Sequence, residues 1–147
     1  MDLFLSQFSG RLDAKGRVSI PAPFRAVLAR DGIEGLYVCP CLDLPALDCG
    51  GNALLGEIAR VLEKLPPYSQ ERELVSTALL GTSEMLKVDG EGRIVLAGRL
   101  KAAAGIGSDV AFVGQGGKFQ LWEPERFRLH LEAAKHRLRE MRQGARP

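Results

Sequence analysis

The sequence predicts an α+β fold in which two copies of one strand-loop-strand unit share a β core of approximate twofold symmetry, with helices on its flanks. Three observations predict it. The stretch "LDAKGRVSIPAPFR", residues 12–25, returns as "VDGEGRIVLAGRLK", residues 88–101, at a constant offset of 76 positions. Leu12, Val18, Ile20 and Phe24 fall on Val88, Ile94, Leu96 and Leu100, while Asp13, Gly16 and Arg17 fall on Asp89, Gly92 and Arg93, and Arg25 meets Lys101. A β-hairpin this small cannot bury its own apolar face in water, so a duplicated one has a physical reason to fold against its twin.

Each copy opens on a short apolar strand and passes through turn chemistry. The first loop is Asp13-Ala-Lys-Gly, with Gly16 free to take positive φ; the second is Asp89-Gly-Glu-Gly. Each copy is expected to return as the second arm of a hairpin, through Val18 and Ile20 or through Ile94 and Leu96. Proline then stops the first copy and pre-sets a helix at "FRAVLA", and "GRLKAAAG" does the equivalent in the second. A second strand pair follows in each. "VAFVG" and "KFQLW" flank the Gly116-Gly117 turn, whereas "LYVCPCLDLPALDC" contains Pro40 and Pro45, which predict an edge strand or an irregular loop.

Between the copies, "LLGEIARVLEKL" sets Leu54, Ile58, Val61, Leu62 and Leu65 on one helical face before Pro66-Pro67, and a further helix runs from the cap Ser69 to Gly81. The last helix begins at Pro124 with a stripe of Phe127, Leu131, Ala134, Leu138 and Met141, a pattern of core or oligomer contact; Arg128, Lys135, Arg139 and Arg142 lie elsewhere around it. The chain thus divides into a first repeat over residues 8–52, a helical connector over 53–82, a second repeat over 83–127, and a C-terminal helix with a basic tail over 128–147.

The 147 residues are enough for one self-sufficient core, and no apolar run approaches the roughly 20 residues of a membrane helix. The expected protein is soluble, with no membrane partner. Cys39, Cys41 and Cys49 form an odd-numbered local cluster without a signal peptide ahead of them, which predicts reduced thiols in a cytoplasm. Net charge is only +2, but residues 1–30 carry five Lys/Arg against two Asp/Glu, residues 31–86 three against nine, residues 87–123 five against four, and residues 124–147 seven against three. A surface for nucleic acid therefore belongs on the repeats or the tail.

Three other functions compete with nucleic-acid binding. Cys39, Cys41 and Cys49 could offer three thiolates to zinc, but paired C-x-x-C spacing is missing, and His130 and His136 lie far along the chain. No cofactor or metal site is predicted. Catalysis lacks a nucleophile with a base built beside it, and "GQGGK" lacks the G-x-x-x-x-G-K-[ST] pattern of a phosphate loop. An oligomeric scaffold without DNA binding is the remaining alternative.

The paired D-x-x-x-R motifs, Asp13 to Arg17 and Asp89 to Arg93, with "VSIPAPFR" after the first and "VGQGGKFQLWEPERF" after the second, resemble the MraZ family over nearly the whole chain. The resemblance implies two AbrB-like swapped-hairpin repeats in a double-psi-like barrel and a ring-shaped homo-oligomer. It further implies a bacterial, nucleoid-associated transcriptional regulator that binds double-stranded DNA at short direct repeats upstream of the division and cell-wall gene cluster. The family's DNA-contacting positions fall on Arg17 and Arg93, with Lys15 beside the first. Arginine can grip guanine O6/N7 with two prongs or clamp phosphate, and lysine adds a mobile charge.

Asp13, Gly16, Asp89 and Gly92 are expected to organise the loops, each carboxylate accepting from turn amides or holding its own arginine before DNA arrives. The alternative is that these Asp–Arg pairs only tie the turns together. The second loop places Glu91 where Lys15 stands, so the two are not expected to contribute equally. Arg11, Arg25, Arg99 and Lys101 are possible flanking contacts.

Overall fold

The computed structural model describes residues 2–144; the end of the predicted basic tail, 145–147, lies outside the described residues. Its elements run β1 (Gln7–Arg11), β2 (Arg17–Ser19), α1 (Ala22–Asp31), β3 (Leu36–Pro40), β4 (Ala46–Gly50), α2 (Asn52–Glu63), α3 (Gln70–Ser76) with a π-helical turn Thr77–Gly81, β5 (Glu84–Leu86), β6 (Arg93–Val95), α4 (Gly98–Ala104), β7 (Asp109–Gly114), β8 (Phe119–Trp122) and α5 (Pro124–Gly144). The class is α+β. An antiparallel six-stranded sheet has the order β1-β7-β8-β4-β3-β5, and β2 and β6 form a separate two-stranded ribbon. That order reads the same from either end once the two copies are exchanged, so the approximate twofold passes between the central strands β8 and β4.

The pairing differs from the simple hairpins expected of each copy. β1 and β2, joined by the first loop, do not pair with each other: β1 pairs with β7 and β2 with β6 of the other copy, while β5 pairs with β3. Exchange lets the apolar face of each short arm lie against a complete sheet instead of one neighbouring strand, which removes the marginality of an isolated hairpin. Nor does the core close as a barrel. β2 and β6 contribute only three paired residues each and give way to helices at Pro21 and Ala97, too short a ribbon to bridge the outer strands β1 and β5.

Strict alternation assigns the two faces of the large sheet. Leu36, Val38, Leu47, Cys49, Val110, Phe112, Phe119 and Leu121 point to one side, where they meet Val18, Ile20, Phe24, Ile94, Leu96 and Leu100 in a single buried cluster. The last six are three of the four apolar pairs that the 76-residue offset matched, and the fourth, Leu12 with Val88, lies against the same cluster. Tyr37 and Cys39 point to the other side and pack on Leu54 of α2, while Ala46, Val113 and Trp122 pack on Phe127 of α5. Three layers result: α2 and α5, the sheet, then the ribbon with α1 and α4.

Pro40 and Pro45 do not make an edge of the first copy's second strand pair. β3 and β4 lie inside the sheet, because Pro40 is the last residue of β3 and Pro45 sits in the connecting turn, where a missing N–H breaks no ladder. Ser69 caps α3 as expected, its hydroxyl accepting from Arg72 N–H at 3.2 Å. On α2 Val61 turns outward, and the stripe on α5 leaves the body of the fold after Leu131, exposing Leu138 and Met141. The N-terminal segment adds to the core without a repeat to disclose it: Phe4 forms a bridge with Gly116 and inserts its ring edge-on against Phe24.

Candidate nucleic-acid interface

Both D-x-x-x-R loops have one geometry. In the first, Asp13 Oδ1 accepts from the N–H groups of Lys15 and Arg17, each at 2.9 Å, while Oδ2 accepts from Arg17 Nε at 2.7 Å. In the second, Asp89 Oδ1 accepts from the N–H groups of Glu91 and Arg93 at 2.9 Å, and Oδ2 from Arg93 Nε at 2.9 Å. Each carboxylate therefore orders the turn and holds its own arginine at once. A short polar side chain that can reach backbone donors two and four residues ahead is what this loop needs from Asp.

The loops also complete the ribbon across the repeats. Leu96 N–H donates to the Gly16 carbonyl and Ile20 N–H to the Gly92 carbonyl, each at 2.9 Å. Gly16 and Gly92 hold φ of +78° and +77°, a region that costs a side-chain-bearing residue about 1–2 kcal/mol. A Cβ on Gly16 would stand 3.1 Å from the Leu96 carbonyl, whereas one on Gly92 would overlap the Cδ and guanidinium of Arg25. We expect Gly92→Ala to lower stability by about 1–2 kcal/mol and to dislodge Arg25; urea unfolding measures the first effect and the NMR signal of the Arg25 side chain the second.

In the ribbon, Arg17 stands opposite Val95, Val18 opposite Ile94 and Ser19 opposite Arg93. Val18 and Ile94 point into the core, so Arg17, Ser19, Arg93 and Val95 share the outward face. The two arginines occupy diagonal positions, a relation that separates residues by about 7–8 Å. Their side chains are 34% and 27% exposed. Among the described residues, Arg17 has hydrogen-bond partners for its backbone N–H and Nε but none for its terminal nitrogens. Lys15 is exposed at the crest of the first loop.

The loops differ in their surroundings. Arg93 has a second acidic neighbour, with Nη1 at 3.7 Å from Glu91, and Arg25 reaches over from α1 to donate to the Glu91 carbonyl at 3.3 Å. The cationic flankers thus divide. Arg25 is a clamp on the second loop, and Arg99 is tied to Glu84 at 2.6 Å and to the Thr82 carbonyl. Arg11 is exposed and Lys101 half-buried. That Arg25 belongs to the other copy's loop could not be read from its place in "PAPFR".

The hydrogen bonds set the charge state. Backbone N–H donation by Arg17, with the Arg17 side chain, holds Asp13 below the usual aspartate value of 3.8, and donation by Arg93 does the same for Asp89. Groups lowered in the folded state contribute stability above the unfolded pKa and lose it as pH falls through the folded one. Loop order is therefore expected to stay constant from about pH 5 to 9 and to fail only in acid below the ordinary carboxylate range; following the two carboxyl carbons by NMR against pH checks this.

The cysteines are not assembled as a ligand set. Cys39 and Cys49 project from opposite faces of the sheet, Cys39 toward α2 and Cys49 into the main core. Cys41 packs half-buried against the cluster of Ala46 and Trp122, where burial first and nearby Asp48 second push its thiol up to about 12, a direction that disfavours the thiolate a metal needs.

A family model described as "MraZ protein, putative antitoxin-like" matches residues 78–145. Among curated proteins, "Transcriptional regulator MraZ" of Beijerinckia indica subsp. indica is 67% identical over 142 residues, covering 97% of this chain and 87% of that one. The protein of that name from Methylocella silvestris is 63% identical with the same coverage, and one from Rickettsia bellii is 37% identical over 143 residues, covering 97% and 95%. At 97% coverage the matched length takes in both loops and the core that carries them. The chain belongs to the MraZ family.

Proposed function

We propose that the chain regulates transcription by seating the ribbon of β2 and β6 in the major groove of double-stranded DNA. One observation carries this reading. Two guanidinium groups, each held at Nε by its own aspartate, stand diagonally on the outward face of a two-stranded antiparallel ribbon, and a ribbon of that kind is one of the two elements the major groove admits. With Nε already engaged, the terminal nitrogens of Arg17 are left to face guanine O6/N7 or phosphate. Lys15 adds a mobile charge. In this reading the Asp–Arg pairs both tie the turns and present the forks, a double role that the bonds to backbone and to Nε support.

The relatives named above are transcriptional regulators, and the chain is not an enzyme. The finer reading is that the two repeats, 8–52 and 83–127, are AbrB-like swapped hairpins, that copies of the chain close into a ring, and that the ring engages direct repeats upstream of the division and cell-wall gene cluster. Exchanged pairing of β1 and β2 supports the first part. Leu138 and Met141, exposed and three residues apart on one face of α5, support self-association. A ring touching several equally spaced repeats raises effective concentration and multiplies affinity by about 10² to 10⁴, which offsets the small contact area of one ribbon. Among the described residues no helix is long and apolar enough to cross a membrane, in keeping with a cytoplasmic, nucleoid-associated protein.

The same exposed stripe on α5 favours a second reading, an oligomeric scaffold without DNA. Mobility-shift titration on the DNA upstream of the chain's own gene, with subunit count measured in parallel, separates the two. The DNA reading expects affinity to fall steeply as salt rises, through release of phosphate counterions. Assembled protein that ignores the fragment at low salt, or wild-type affinity in both Arg17→Ala and Arg93→Ala, would overturn it.

A further inference from the structure

The ribbon carries one apolar side chain on its outward face. Val95 ends β6 at 51% exposure, opposite Arg17, with its Cγ1 3.9 Å from where a Cβ on Gly16 would stand. Period-two alternation fixes its direction, since neighbouring Ile94 and cross-strand Val18 fill the core and a one-residue slip would drive both into water. The 76-residue offset places Ser19 at the matching position of the first copy. The two ends of the ribbon are therefore chemically unlike: Lys15, Arg17 and Val95 at one, Glu91, Arg93 and Ser19 at the other.

Resting on the DNA reading above, we infer that Val95 is a specificity-determining residue that contacts the C5-methyl group of a thymine, and that each protomer thereby reads its site in one direction. In the major groove the thymine methyl is the feature an apolar side chain can recognise, while a serine hydroxyl bonds to several bases and selects weakly among them. Lys15 and Arg17 flank Val95, and Glu91 stands at the opposite loop, so attraction to phosphate brings the Val95 end closest to the duplex. With serine at both positions the outward face of the ribbon would offer the same base-reading groups to either orientation of a half-site; a Val and a Ser do not.

Replacing thymines one at a time by deoxyuridine removes the methyl and nothing else. On the upstream DNA, mobility-shift titration of wild type is expected to lose about fourfold in affinity per contacted methyl at one position of the site. Val95→Ser should bind the thymine form more weakly by a similar factor and be indifferent to deoxyuridine there. Val95→Thr, which keeps a methyl and a β-branched strand former, should retain the sensitivity. Wild type that binds normally but is blind to every deoxyuridine, or Val95→Ser with undiminished sensitivity, would overturn the inference and leave the DNA reading standing. Wild type that does not bind the fragment at all would overturn both.

Discussion

Arg17→Ala is expected to weaken binding to the upstream DNA by about 10- to 100-fold per engaged protomer, the range for one well-placed bidentate contact. The size of the effect follows from preorganisation. Asp13 holds Nε at 2.7 Å, so the guanidinium plane is set before the duplex arrives and little side-chain freedom remains to be lost on binding. Arg17→Lys should not restore affinity, since an ammonium has neither the planar fork nor an Nε to offer Asp13. Arg93→Ala should cost less, because Glu91 stands 3.7 Å from Nη1 and repels the same phosphates. Mobility shifts over a salt series measure both quantities, and loss of one phosphate contact would flatten the salt slope by about one unit. Arg17 lies on the surface of a fold whose core it does not enter, so melting of the variant is expected to stay close to wild type. An equal loss in both arginine variants would contradict the asymmetry of the loops.

Phe24→Ala is expected to destabilise the fold by about 3–5 kcal/mol, the usual range for emptying a buried aromatic site. Phe24 is 1% exposed and its ring centroid lies 5.3 Å from Phe4, 5.3 Å from Phe8 and 4.8 Å from Phe119. Phe119 belongs to the second copy, so the cluster fastens the copies together through one buried stack. The transition should stay single as it moves to lower denaturant: Trp122 fluorescence, reporting on the second copy, and far-UV circular dichroism, reporting on all helices, should shift together. Separation of the two curves would mean that the copies fold independently, and would remove the shared core on which the ribbon depends.

Much of this molecule was legible because it is local. Positive φ at Gly16 and Gly92, the Ser69 cap, the Asp-to-backbone bonds of the loops and the helix starts at Pro21 and Pro124 all involve residues within a few positions of one another, where stereochemistry alone decides. The matched pairs Val18 with Ile94, Ile20 with Leu96 and Phe24 with Leu100 were legible for a different reason. Duplication writes the core twice, and the second copy discloses which apolar positions of the first are inward.

Strand partners could not be read in this way. An apolar arm, a tight turn and a second arm have one pattern whether the arms pair with each other or with a twin far along the chain, and the choice rests on how much apolar surface the whole fold covers. The same holds for Pro40, harmless inside the sheet because it falls on the last rung of β3, and for Cys39 and Cys49, which the β3–β4 register sets one rung apart and so on opposite faces. Arg25 lies on the other copy's loop for a reason visible only in three dimensions. By itself, then, the sequence determined the repeated loop and its charged residues, since turn chemistry is written in a few adjacent positions and duplication writes it twice. Only the tertiary structure decided that β2 meets β6, and so set Arg17, Arg93, Ser19 and Val95 on one face: burial of Val18 and Ile94 is a cooperative, long-range gain that no single segment contains.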